Sequence, residues 1–162
     1  MKKISFKSAL LVILLILISY ASKAQGVNFQ KLMNIKEINT VYITEAMLKN
    51  ASGMIGQEAG SDNKMMGDMV KSTEQMYVFT AQGDKNKQVL KQEFEPIMSG
   101  KDKKAEVLMI SKNGNNENRI IGYKNNKGGY NTIYIINEAD STMNIVSMLG
   151  NFSKESIKNF SK

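Results

Sequence analysis

The stretch Ser61-Asp62-Asn63-Lys64 satisfies two signatures of penicillin-recognising serine enzymes at once, S-x-x-K and S-D-N. In those enzymes the two motifs are separate elements that meet in a cleft, and the serine opens a buried helix. Here they overlap within four residues of a stretch that also holds Gly53, Gly56 and Gly60, so they cannot face each other across a site and the match is fortuitous. The same glycines end in no Gly-Lys-Ser or Gly-Lys-Thr, which removes the phosphate-loop reading. Paired carboxylates could hydrolyse a glycoside without histidine. Glu93 and Glu95, however, are two apart on an expected helix and point to different faces, while Glu138 and Asp140 fall in an expected hairpin turn. Their expected role is a solvated surface.

Methionine is the least ordinary residue type, with 12 in the chain. Met65, Met66 and Met69, with Met54 in an adjoining stretch and Met76 beyond, could offer thioethers to Cu(I), but copper favours tight M-x-M or M-x-x-M clusters and only Met66-Gly67-Asp68-Met69 fits. The other uses of methionine are filling irregular core gaps and forming adaptable binding faces. If the segment is a binding face, Met54, Ile55, Met65, Met66 and Met69 are expected to form a partly exposed patch that contacts another protein.

The composition narrows the chemistry further. Among 162 residues there is no His, no Cys and no Trp. Without imidazole or thiol the chain lacks the usual base at neutral pH, the soft metal ligands and the thiolate nucleophile. Zinc sites, Ser-His-Asp triads, haem or iron–sulfur ligation by His or Cys, and disulfide scaffolds are excluded, and no cofactor or metal is expected. Arg119 is the single arginine, which gives nucleic-acid binding little support.

The chain opens with Lys2, Lys3 and Lys7, then an apolar run from Ala9 to Ile18, then Ser22-Lys23-Ala24. This is the pattern of a secretory signal peptide over residues 1–24, cleaved after Ala24. The apolar run falls short of the roughly 20 residues that span a bilayer, and no Cys follows it for lipid attachment, so no stable anchor is expected after cleavage. Of 22 basic side chains against 15 acidic ones, four lie in this leader; the remaining 18 against 15 leave +3 of the original +7. The expected mature chain, 25–162, suits one domain whose stability rests on its core.

Helical spacing places a short helix over Val27–Lys36, behind Asn28 as N-cap. Thr40-Val41-Tyr42-Ile43 reads as a strand leading through Thr44 into a helical turn at Glu45–Leu48. The Gly-rich segment 52–64 reads as a flexible loop, and Lys64–Thr73 as a helix. Gln75–Thr80 reads as a central strand because its apolar residues are nearly continuous. Asp84 is expected to cap a helix carrying Val89, Leu90, Phe94, Ile97 and Met98 on one face, which Pro96 kinks or ends. Four strand-like runs follow, at 105–112, 119–124, 130–137 and 142–149, joined by short turn clusters that favour an antiparallel meander. Ser153 then caps a last helix, with Ile157 and Phe160 inward.

In order along the chain, the leader, the segment from Thr40 to Leu48, the strand Met76-Tyr77-Val78-Phe79, and the ending from Leu149 to Ile157 resemble secreted proteins that carry the domain of unknown function 4252. The resemblance implies an exported α+β domain of Gram-negative envelopes with no assigned activity and no catalytic residues. It also implies an association with regulators of envelope stress.

The fold expected is thus a single α+β domain, an antiparallel sheet of about six strands with helices mainly on one face. The function expected is a non-catalytic periplasmic or secreted interaction module for another envelope protein. The alternative is a small hydrolase using only carboxylate, Ser, Lys or Tyr chemistry. Nothing in the residue pattern fixes an oligomeric state.

Overall fold

The structure is a computed structural model that describes residues 27–55 and 69–158. The elements are α1 (Phe29–Met33), β1 (Asn39–Thr44), α2 (Glu45–Ile55), β2 (Thr73–Gln82), α3 (Asp84–Met98), β3 (Ala105–Asn113), β4 (Asn116–Lys124), β5 (Tyr130–Glu138), β6 (Thr142–Phe152) and α4 (Lys154–Lys158). The expected leader, the stretch 56–68 with Met65 and Met66, and Phe160 lie outside the described residues.

The six strands form one antiparallel sheet in the order β1-β2-β6-β5-β4-β3. The four C-terminal strands are the expected meander, and β6 closes it against β2. The chain must therefore travel from β2 to the far edge before the meander starts. Four strand spacings amount to about 19 Å, and the 15 residues of α3 are about 22 Å long. The helix crosses one face of the sheet and delivers the chain to β3.

That crossing makes the main core. Leu90, Phe94, Ile97 and Met98 recur at helical spacing on α3 and are buried against Phe79, Ala81, Ile121, Tyr134, Ile136, Met143 and Ile145 of the sheet. Phe29 and Leu32 of α1 cover the same face nearer β1. Aromatic rings run across it in contact: Tyr42 stacks on Tyr77, Tyr77 on Phe29, Phe79 tilts against Phe94, and Phe94 meets Tyr134 edge-on.

Several local expectations need correction. The segment after β1 is a full helix to Ile55, so it runs through Ser52 and Gly53 where a loop was expected to begin. Burial of Leu48 and the Lys49–Glu45 pair one turn apart support it against the cost of its glycine. Asp84 is the first residue of α3 and makes no side-chain cap; Gly83, at φ 82°, occupies the cap position. Pro96 does not stop α3, which continues to Met98. The first helix is confined to Phe29–Met33. Its cap is as expected, since Lys31 N donates to Asn28 Oδ1 at 3.0 Å, and Ser153 Oγ likewise accepts from Ser156 N at 3.1 Å.

Candidate interaction surface

The second face of the sheet is apolar too. A separate cluster of Met69, Ile120, Tyr130, Ile133, Met148, Phe152 and Ile157 is buried there, with Met76, Leu108, Met109, Ile135 and Val146 half-buried beside it. Strand pairing places Val41 opposite Val78, Val78 opposite Val146, Val146 opposite Ile135, Ile135 opposite Ile120 and Ile120 opposite Met109. One continuous aliphatic row therefore crosses all six strands. Only Ile120, at 8% exposure, is buried, whereas Val41 is 55% exposed and the others are half-buried. Ile43 and Met76, facing each other in the next row toward the start of α2, are half-buried as well.

Met69, one of the five residues expected in a partner patch, is 3% exposed. Residues 69–71 are helical, and Thr73 Oγ1 donates to Met69 O at 2.7 Å, folding this turn over the second face. Met69 belongs to the buried cluster there. Met54 and Ile55 lie in the last turn of α2.

Six of the described glutamates are bound to cations. Burial pushes Glu138 up, but hydrogen bonds from Lys91, at 2.9 Å, and Lys87 outweigh it and hold the carboxyl below its ordinary range. Glu117 is likewise held low, first by Arg119 and then by Lys112, and Arg119 also donates to Met98 O at 3.1 Å. Glu106 is raised by burial and lowered further by Lys124 and Tyr130. Glu93 pairs with Lys31 across elements while Glu95 lies 4.0 Å from Lys101, so these two carboxylates serve different partners. Among the described residues none of the shifted carboxyls is raised, which a general acid at neutral pH requires. Burial, and the hydrogen bond to Asp102 at 3.0 Å, push the Tyr123 hydroxyl up to about 12, so it stays protonated at neutral pH. Among the described residues no three carboxylates come together as metal ligands, and no helix is long and apolar enough to cross a membrane.

An open cleft of about 420 Å³ lies at one end of the sheet, between the turn Asn125–Gly129 and the start of α4, with Lys127, Lys154 and Glu155 at its rim. Asn125 Oδ1 accepts from the backbone of Lys127 and Gly129 at 2.8 and 3.0 Å, so this polar group is used in holding the turn.

A family model described as domain of unknown function DUF4252 matches residues 20–160, nearly the whole chain. The chain belongs to the DUF4252 family. No curated protein and no solved structure matches it. In this DUF4252 chain the feature that sequence reasoning missed is the aliphatic row. Its members all fall within expected strands, but the row exists only once the register is set. The one signal was the lack of polar alternation in Val41-Tyr42-Ile43 and in Ile133-Tyr134-Ile135-Ile136, which marks strands with apolar side chains on both faces.

Proposed function

We propose that this DUF4252 chain is an exported, non-catalytic interaction module of the cell envelope, serving regulation of envelope stress, and that its contact surface is the open part of the second sheet face. The observation that carries the reading is the row from Val41 to Met109, an aliphatic band across six strands of which one member alone is buried. Exposed apolar area of this kind on a folded domain marks a contact with another apolar surface. The Lys-rich, then apolar, then small-residue pattern of residues 1–24 supports export. Cation-paired carboxylates and a protonated Tyr123 support binding over hydrolysis.

The test is crosslinking in intact cells with the full-length gene, comparing the native chain with Val78→Asp and Val146→Asp. Both variants should be exported and folded and should lose the same crosslinked species. Retention of every crosslink in both would sink the reading, as would recovery of the uncleaved 162-residue chain from the cytoplasm by intact mass.

A further inference from the structure

The two outer strands of the sheet are built differently. β3 carries the charges of Glu106 and Lys112 and a register shift between Val107 and Met109, the usual devices that stop an edge from pairing. β1 has none of them: Asn39-Thr40-Val41-Tyr42-Ile43-Thr44 is uncharged, free of proline and glycine, and pairs with β2 without a bulge. Among the described residues nothing pairs with its outer side, where alternate backbone N–H and C=O groups point away from the sheet.

We propose that two copies of this chain pair antiparallel through their β1 edges about a two-fold axis at Tyr42, making one twelve-stranded sheet from two six-stranded ones. A two-fold perpendicular to the sheet keeps each face on its own side, so it sets Tyr42 against Tyr42, Val41 against Ile43 and Thr40 against Thr44 of the second copy. Each of these juxtapositions meets something the single chain leaves open.

Tyr42 is the end of the aromatic row, stacked on Tyr77 at 4.7 Å between ring centres yet 42% exposed. The pairing continues the row as Tyr77-Tyr42-Tyr42-Tyr77. Thr40 Oγ1 is buried without any hydrogen-bond partner. A turn of Thr40 about χ1 would release this hydroxyl toward the second copy's Thr44, directly across the strands, and threonine pairs of this kind stabilise sheets. On the other face, Val41 covers the second copy's Ile43. The strands themselves are uncharged and oppose no like charges. A six-residue edge is small beside a standard interface, so the dimer should be concentration-dependent.

This inference does not rest on the proposed envelope partner, because it is tested on the purified protein alone. The exported protein is examined by sedimentation from about 1 µM to about 1 mM, the weak end of specific association. A doubling of mass with concentration is expected, and Tyr42→Lys, which opposes two ammonium groups, should weaken it about tenfold or more. The chain has no cysteine, so single thiols report the register. Tyr42→Cys should crosslink to itself on oxidation or with a short bifunctional maleimide. Thr40→Cys should crosslink poorly alone but well when mixed with Thr44→Cys. A monomer at every concentration overturns the proposal. So does a dimer that crosslinks through Ile110→Cys on β3 and not through β1, or one that Tyr42→Lys leaves intact while that variant keeps the native circular dichroism spectrum.

Discussion

The ring of Tyr130 lies where a side chain on Gly122 would stand: a Cβ at that position would run into Cδ1 and Cε1 of the tyrosine. Gly122 sits mid-strand in β4, opposite Ile133, and Tyr130 starts the neighbouring strand. The missing side chain makes room for a ring that is 3% exposed and joins the second-face cluster, its hydroxyl donating to Glu106 at 3.2 Å. Gly122→Ala should therefore destabilise the fold by about 1–3 kcal/mol, the usual cost of overpacking, although alanine is otherwise the better strand residue. Chemical denaturation would show it, and Tyr130→Leu in the same background should recover part of the loss.

Val78 and Phe79 are neighbours in sequence on opposite sides of β2. Phe79 is fully buried between α1 and α3, whereas Val78 is half-buried in the open aliphatic row. Phe79→Ala should cost about 3–5 kcal/mol. Val78→Ala should cost about 1 kcal/mol or less, since its site is already partly hydrated. Equal losses from urea unfolding would mean that the second face is covered as fully as the first.

The locations of all six strands were legible from the sequence because their residues are β-branched or aromatic and the turns between them carry Asn, Gly, Asp and Ser. The face assignments were less so. Period-two alternation tells which side chains share a face within one strand, but the row from Val41 to Met109 depends on five pairings, four of them with a register shift, one beside the row itself between Val107 and Met109. A register is fixed by contacts distant in sequence, and no local pattern states it. Met69 illustrates the same limit. Its unbranched side chain suits either a gap in a core or a pliable surface, and the Thr73 hydroxyl bond that turns it onto the sheet is not visible in composition. The extra length of α2 was hidden by Gly53, whose low helix propensity is overridden once the helix has a buried residue to anchor it.

Glu138 links stability to pH. Its carboxyl is held below the ordinary range by Lys91 and Lys87, so its contribution is fully present above the unfolded carboxylate value and fades as pH falls through the folded one. Its side chain is 17% exposed, which leaves charge-assisted hydrogen bonds of this sort about 1–3 kcal/mol before screening. Glu138→Gln should lower stability at neutral pH, and the gap between the two proteins should close only as pH falls through the folded carboxyl's lowered value, below the ordinary carboxylate range, where both side chains are neutral. A gap that persists unchanged at low pH would mean that packing, not charge, explains the effect.

Tyr123 acts at the other end of the scale. Burial and Asp102 push its hydroxyl up to about 12, so the protonated form is favoured in the folded state. That contribution is fully present below the unfolded tyrosine value near 10 and is lost as pH rises toward 12. Tyrosinate absorbance should show a class that ionises only as the protein unfolds in alkali. Tyr123→Phe should remove one such residue and flatten the loss of stability between these limits.

Ser147 tests how the main core treats a polar group. Its side chain is fully buried on β6, in register between Tyr77 and Tyr134, and its Oγ has no hydrogen-bond partner. An unsatisfied buried hydroxyl costs roughly 1–3 kcal/mol of desolvation and returns nothing. Alanine removes the oxygen and keeps the Cβ, leaving a void too small to matter beside that cost. Ser147→Ala should thus be neutral or raise stability by about 1 kcal/mol, read as a higher thermal midpoint. Valine at the same site adds two methyl groups where Tyr77 and Tyr134 close in from both sides, and it should lose about 1–3 kcal/mol by overpacking. If Ser147→Ala instead destabilises clearly while Ser147→Thr does not, the hydroxyl is bonded in solution and the cost assigned to it here is wrong.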